Sequence, residues 1–144
     1  MNREQMDGPA QKPLELILAR NLLTSLSTPA FLADDDGSLI FYNEAAGALL
    51  GMSFEESGKL GPGEWGAKFG PFDKNGNPIP VEELSTTQTL RAGRPTHAEY
   101  CIHSTHGDEH MVEVSAIPIV SHEGQRGAIV VFWPKDGFDG TGSG

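Results

Sequence analysis

Residues 29–46 read PAFLADDDGSLIFYNEAA, which has the pattern of a β-hairpin followed by a helix. Two apolar and aromatic runs, 29–33 and 38–43, flank the pair Asp36-Gly37, and an Asp-Gly pair between such runs is a strong signal for a β-hairpin. Asn43 then occupies an N-cap position, where its side chain can accept a hydrogen bond from the first turn of the following helix. Gly51 supplies the left-handed position that ends this helix. We therefore predict two antiparallel strands followed directly by a short helix over 44–50.

The C-terminal third has the pattern of a strand meander. From Thr96 the hydrophobic period is two, which is the period of a half-buried strand. Strands are predicted over 96–103 and 111–117, joined by a turn over 104–108, and a nearly continuous apolar run predicts a buried strand over 127–133. Setting 127–133 beside 29–33 hides the apolar edges of both strand blocks. The predicted fold class is α+β, with a five-stranded antiparallel sheet in the order 2-1-5-4-3 and helices on one face.

The segment between the two strand blocks predicts helices and one irregular stretch. Residues 53–56, Ser-Phe-Glu-Glu, have the form of a capping box and predict a helical turn that ends near Gly58. Residues 61–80 hold five Gly and four Pro, so we predict an irregular segment pinned by its aromatic residues. Pro80 at one end and Arg91 with Gly93 at the other delimit a helix predicted over 81–92.

Ahead of the hairpin, leucines at helical spacing predict an amphipathic N-terminal helix over 14–27, which Pro29 ends. Its predicted core face consists of Leu14, Ile17, Leu18, Leu22 and Leu26. Leu16 and Leu23 fall on the opposite side, which implies a second contact surface. We predict a homodimer formed through Leu16, Leu23 and neighbouring helix positions. The alternative is that these two leucines are scattered surface apolar residues.

Charge and composition exclude several function classes. The 144 residues include 20 acidic and 10 basic side chains, and the formal charge of -10 disfavours nucleic acid and anionic membrane surfaces as partners. The sequence has no secretory or membrane-spanning apolar run, and a single cysteine, Cys101, cannot form an internal disulfide. These features predict a cytoplasmic protein.

The predicted organisation is a disordered tail over 1–12, the dimerisation helix over 13–28, one folded domain over 29–133 and a flexible tail over 134–144.

Several stretches together resemble a known family. Residues 29–46 are similar to the opening of a PAS sensory domain, in which an Asp-Gly hairpin leads to an Asn that caps the next helix. GMSFEESG at 51–58 is similar to the family's G-x-S-x-E-E-x-x-G stretch, and NGNPIPVEEL at 75–84 resembles a subgroup common in bacterial signalling proteins. Residues 112–119 and 127–132 resemble the last two strands of the family. The resemblance covers 22–133 and implies a PAS-like sensory domain that is not an enzyme.

Three departures from the family pattern bear on output and cofactor. The last strand of the family often ends in a D-[IV]-T relay triad, whereas residues 132–136 read FWPKD. The flavin-binding branch carries a reactive Cys on a helix, whereas Cys101 lies on a predicted strand. The haem-binding branch generally uses a His on the helix before the third strand, and 81–92 contains none. Haem and flavin are therefore disfavoured, and the identity of any cofactor or ligand stays open.

A pocket between helices and sheet is the predicted ligand site, because small-molecule sites are mostly apolar with a few orienting polar groups. Thr87 is the polar candidate, on the helix predicted over 81–92. The predicted ligand-binding residues are Tyr42, Trp65, Phe69, Thr87, Tyr100 and Val114. The alternative is that the same aromatic side chains fill a closed core.

Five histidines gather in the C-terminal third, and His103, His106 and His110 surround one predicted turn. Zinc accepts imidazole ligands, but a turn rich in Ser, Thr, Gly and Asp is more often solvated, so we predict no metal site and no catalytic residues.

Three hypotheses for the function follow from the sequence. The first is a non-enzymatic sensory module that dimerises and binds a small molecule or an effector protein domain. The second is a PAS domain used only for protein interaction, and the third is a small metal-dependent enzyme built on these histidines.

Overall fold

The computed structural model describes residues 14–122 and 124–135. One helix precedes a pair of strands. Three helices, a 3-10 turn and a further helix come after this pair, and three long strands complete the fold. The elements are α1 (Leu14–Thr24), β1 (Ala30–Asp34), β2 (Leu39–Tyr42), α2 (Glu44–Leu50), α3 (Phe54–Ser57), α4 (Pro62–Phe69), a 3-10 turn (Val81–Glu83), α5 (Ser85–Ala92), β3 (Thr96–His103), β4 (Glu109–Ser121) and β5 (Gly124–Pro134).

The five strands form one antiparallel sheet in the order β2-β1-β5-β4-β3, which confirms the predicted fold class. β1 lies between the strand of its own hairpin and the last strand, with Phe31 opposite both Tyr42 and Val130. The hairpin turn forms at Asp36-Gly37 as predicted, because Asp34 Oδ1 accepts hydrogen bonds from the amides of Asp36 and Ser38. Local turn chemistry and the burial of two apolar strands therefore give the same topology.

Asn43 joins three elements at the end of this hairpin. Its side-chain oxygen accepts hydrogen bonds from Ala46 N of α2, at 3.0 Å, and from Ala30 N of β1, at 3.1 Å. Its amide nitrogen donates to the carbonyl oxygens of Leu23 and Thr28, at 3.1 and 2.9 Å. The residue is 2% exposed. The predicted N-cap is confirmed, and the same side chain also holds the end of α1 against the sheet.

Each face of the sheet carries its own apolar cluster. Helices α2, α4 and α5 cover the inner face, where the cluster includes Phe31, Trp65, Tyr100 and Phe132. The outer face carries a smaller cluster, in which α1 packs on Leu32 and Ile40. Among the described residues, no helix is long and apolar enough to cross a membrane.

The predicted orientation of the N-terminal helix is wrong. Leu16 and Leu23, predicted to face a partner, are 3% and 0% exposed and pack on the outer face of the sheet. The five residues predicted to face the core are instead exposed: Leu14, Ile17, Leu18, Leu22 and Leu26. The sheet offers α1 only a narrow apolar strip, which Leu16, Ala19 and Leu23 fill at helical spacing. The richer apolar face therefore remains at the surface.

Other element boundaries also differ from the prediction. Residues 62–69 form helix α4 inside the stretch predicted to be irregular, because Pro62 suits a first helical turn and Trp65 and Phe69 bury one side. The helix predicted over 81–92 divides at Leu84 into a 3-10 turn and α5. Pro134 belongs to β5 rather than to a flexible tail. Lys135, also in the predicted tail, donates a backbone hydrogen bond to the carbonyl oxygen of Met111, and tail residues 1–12 and 136–144 lie outside the described residues.

Candidate functional site

An apolar cavity of about 50 Å³ lies between the inner face of the sheet and the helices. Four of the six predicted ligand-binding residues line it: Trp65, Phe69, Tyr100 and Val114. Binding pockets for drug-sized molecules enclose roughly 300 to 1,000 Å³, so this cavity is far below that range. The volume suits a very small apolar molecule.

Two predicted site residues lie elsewhere. Tyr42 is in the core cluster but points its hydroxyl outward, where it donates a hydrogen bond to the carbonyl oxygen of Met52 at 2.6 Å. Thr87 is only partly buried, whereas its neighbours Ser85 and Thr86 are buried and line the cavity. One residue on a helix corresponds to a rotation of about 100°, which takes Thr87 off the inward side.

Two aromatic residues that line the cavity, Phe31 and Phe132, are not among the predicted site residues. Phe31 of β1 lies with its ring centroid 5.4 Å from that of Trp65 and 5.9 Å from that of Phe132 of β5. Both missed residues belong to the central strands of the sheet, where alternation points every second side chain inward. The strand pattern contains this signal, but the predicted aromatic residues come from the irregular segment and the outer strands.

Two polar side chains of the cavity wall, Tyr100 and Trp65, are already hydrogen-bonded within the protein. The Tyr100 hydroxyl accepts a hydrogen bond from Ser85 N at 2.9 Å and lies 3.2 Å from Ser85 Oγ. Trp65 Nε1 donates to the carbonyl oxygen of Gly37 at 3.1 Å. A ligand that needed these groups for orientation would have to break bonds that hold α4 and α5 in place. The wall therefore favours an apolar guest.

A larger groove of about 820 Å³ lies outside the core, between α1, α2, α3 and the turn that carries His106. The guanidinium of Arg20 lies 4.4 Å from the centre of the Phe41 ring at this groove. Burial raises the pKa of the Tyr42 hydroxyl above its usual value; a hydrogen bond with Ser57 lowers it in part, and the negative charges of Glu56 and Glu55 raise it again. Tyr42 thus remains a neutral hydrogen-bond donor at physiological pH.

The outer surface of the sheet carries exposed apolar side chains beside α1. Leu18 and Leu22 are 57% and 55% exposed. They share the side of α1 that carries Glu15, whose carboxylate lies 4.0 Å from Arg126 Nε of β5. By alternation, Ile117 and Trp133 lie on the same face as the residues of β4 and β5 that pack on α1, and both are exposed. We call Leu14, Leu18, Leu22, Ile117 and Trp133 the outer apolar face.

The structure does not assemble His103, His106 and His110 into one group. His103 and Glu109 form a cross-strand pair, whereas His110 occupies the alternate position, on the face that carries Val112. His106 lines the large groove instead. Within the described residues, the metal-ligating side chains that converge with His103 are Cys101 and Glu109.

No family model and no curated protein matches the sequence. Solved structures do match it. A LOV protein of Rhodobacter sphaeroides superposes with a TM-score of 0.68 at 13% identity, over 90% of this chain and 71% of that chain. The PAS domain of nitrogen regulation protein NR(II) from Vibrio parahaemolyticus has a TM-score of 0.57 at 18% identity, over 81% of this chain and 97% of that one. The chain has the fold of a PAS domain.

The PAS fold recurs in proteins with different roles. The PAS domain of the fruit-fly ELK potassium channel superposes with a TM-score of 0.61 at 13% identity, over 87% of this chain and 98% of that chain. A fold common to a LOV protein, a nitrogen regulation protein and a channel does not by itself define an output. The function must therefore be inferred from the cavity and the outer apolar face of this PAS fold.

Proposed function

We propose that this PAS-fold chain is a non-enzymatic sensory module that dimerises through its outer apolar face. The observation that carries the proposal is the exposure of Leu14, Leu18 and Leu22 on α1, together with that of Ile117 and Trp133 on the face of the sheet that α1 covers. Large apolar side chains exposed on one face are characteristic of protein interaction sites. Covering it with a second copy would bury large apolar side chains at the centre of the contact, the part of an interface in which charged side chains are depleted.

The contact surface proposed here replaces the one predicted from the sequence. Leu16 and Leu23 are committed to the core, so they cannot meet a partner while α1 stays in place. The far side of the same helix takes over that role. A change in how α1 packs on the sheet would then alter both the core and the dimer, which is the coupling a signalling module needs.

The double substitution Leu18→Glu and Leu22→Glu is expected to abolish the dimer without unfolding the domain. Both side chains are exposed, so the free energy of unfolding should change little, while four carboxylates would face one another in the dimer. Sedimentation equilibrium at about 100 μM, where a dimer with a dissociation constant of about 1 μM is nearly saturated, should give a dimer for the parent chain and a monomer for the variant.

Val81→Glu is the matched control for this experiment. Val81 is an exposed aliphatic residue on the 3-10 turn, remote in the fold from the outer apolar face, so this variant should remain dimeric. A parent chain that is monomeric at about 100 μM would contradict the proposed dimer. Equal loss of the dimer in the control would show that added charge, rather than this face, is responsible.

A second candidate function is the binding of a small apolar molecule in the inner cavity. The apolar lining supports it, and the volume of about 50 Å³ restricts it to a guest much smaller than an aromatic cofactor. The prediction that haem and flavin are not cofactors stays a prediction, with this volume in its favour. If the cavity admits no guest, the domain acts through protein contacts alone.

Xenon under pressure is the probe for this candidate. We expect methyl resonances of Val112, Val114 and Val130 to shift on xenon binding, because these side chains line the cavity. Val114→Phe should fill the space and abolish the shifts, at a cost in stability of about 1–3 kcal/mol from overpacking. Val120→Phe, at an exposed position, should leave them unchanged. Absence of shifts in the parent chain would favour the closed core over a ligand site.

A further inference from the structure

Three metal-ligating side chains converge at the edge of the sheet, outside the cavity. Cys101 and His103 are two residues apart on β3 and therefore project from the same side of that strand. Glu109 pairs directly with His103 across the β3–β4 ladder. One ligand atom from each of the three residues lies within 4.8 Å of the other two, and His103 Nε2 is 3.5 Å from Glu109 Oε2.

Phe72 packs against two of these three residues. The ring of Phe72 stacks on the imidazole of His103, with centroids 4.1 Å apart and an angle of 24° between the planes. The backbone of Phe72 pairs with Cys101 in both directions, through hydrogen bonds of 2.7 and 2.9 Å. The segment that carries Phe72 thus extends the sheet edge beside β3. Ligands held on paired backbone in this way lose little freedom when an ion binds.

We propose that Cys101, His103 and Glu109 form a binding site for a zinc ion. Thiolate, imidazole and carboxylate are the three ligand types that Zn²⁺ accepts, with bonds of about 2.3, 2.0–2.1 and 2.0–2.2 Å. A tetrahedron with such bonds separates its ligand atoms by roughly 3.3–3.6 Å. The spacing of His103 and Glu109 already meets this requirement, and the ligand atom of Cys101 lies within 4.8 Å of the other two.

The site is open on one side. The three residues line a depression of about 370 Å³, together with Asp73, Lys74, Gly76 and Met111. Three protein ligands leave the fourth position of a tetrahedral zinc to water or to another ligand. The Asp73 carboxylate at the same depression favours a cation, and the Lys74 ammonium opposes it. Because the site lies at the β3 edge, it is separate from the inner cavity and does not depend on the proposed dimer.

Cobalt titration of the full chain, freed of metal, tests the proposal. Co²⁺ takes zinc ligands in the same geometry and reports a bound thiolate by a charge-transfer band in the near ultraviolet. We expect one Co²⁺ per chain, with that band, and its displacement by an equivalent of Zn²⁺, since zinc forms the stronger complex with tetrahedral thiolate sites. Cys101→Ser should remove the band, and His103→Gln or Glu109→Gln should weaken Zn²⁺ binding at least 10- to 100-fold.

Two other histidines provide matched controls. His97 lies on the same strand and face as His103 but hydrogen-bonds to Ser115, and His106 lies on the adjoining turn. His97→Gln and His106→Gln should retain the parent affinity, and the circular dichroism of every variant should match that of the parent chain. The proposal is overturned if Co²⁺ binds without the thiolate band, if no metal binds, or if the control variants lose as much affinity as Glu109→Gln.

Discussion

Asn43→Ala is expected to lower the free energy of unfolding by about 3–5 kcal/mol, the largest loss for any polar side chain in this fold. The substitution removes two accepted and three donated hydrogen bonds of a residue that is 2% exposed. Each buried backbone group left without a partner costs about 1–3 kcal/mol, and part of that cost is recovered where water reaches the gap. Urea denaturation followed by circular dichroism measures the change.

Asn43→Asp separates the two halves of this network. A carboxylate can still cap α2 and accept from Ala30 N, but it cannot donate to the carbonyl oxygens of Leu23 and Thr28. We expect it to detach the end of α1 while α2 remains capped, so amide exchange should rise first in 14–24. Asn21→Ala, at an exposed position of α1, is the control and should change stability by less than about 0.5 kcal/mol. A similarly small effect of Asn43→Ala would contradict this account.

Gly127→Ala is expected to destabilise the fold by about 3 kcal/mol or more, because the added methyl has no space. Gly127 lies opposite Asp34 in the central β1–β5 ladder, and a Cβ at this position would overlap the carbonyl oxygen of Ala33. It would also lie 3.1 Å from a methyl carbon of Leu16 on α1. The obstacle is backbone in a central strand, so no side-chain rotation relieves it. Thermal unfolding of the purified variant tests the expectation.

Gly66→Ala is the matched control for Gly127→Ala. Gly66 lies within α4, and a Cβ there meets nothing within 4 Å. Alanine favours a helix interior over glycine by about 0.8–1.0 kcal/mol, so this variant should be slightly more stable than the parent. The same chemical change thus has opposite signs at two positions. Equal effects at both would show that backbone entropy, rather than the contact with Ala33, governs the response.

The parts of the fold that were predictable are those encoded by local chemistry. The Asp36-Gly37 turn, the Asn43 cap and the capping box at Ser53 each involve atoms within a few residues, and each forms as predicted. The strand order followed because few arrangements hide the apolar edges of two strand blocks. The failure at 62–69 has the opposite cause. Glycines lowered the helical signal, and the burial of Trp65 and Phe69 by distant strands supplied what local propensity lacked.

The orientation of α1 could not be read from its own sequence. Both sides of the helix are apolar, and the sheet face that selects Leu16 and Leu23 is assembled from strands far along the chain. Trp65 and Tyr100 could be predicted to line the cavity because they lie at inward-facing positions. Thr87 does not line it, because it lies one helical position beyond Thr86, which does. Likewise, the proximity of Cys101 to Glu109 depends on the β3–β4 register, which the residue types do not specify.

The antiparallel pairing of β1 with β5 has a mechanical consequence. Ala30 lies opposite Val131, and Phe132 N donates to the carbonyl oxygen of Pro29, so the chain enters and leaves the sheet at the same end. Tension that pulls the start of β1 away from the end of β5 would load these hydrogen bonds one after another, in an unzipping geometry. It would not load them all at once, as a shear geometry does. The domain should therefore yield at low force, from the Pro29 end of the ladder.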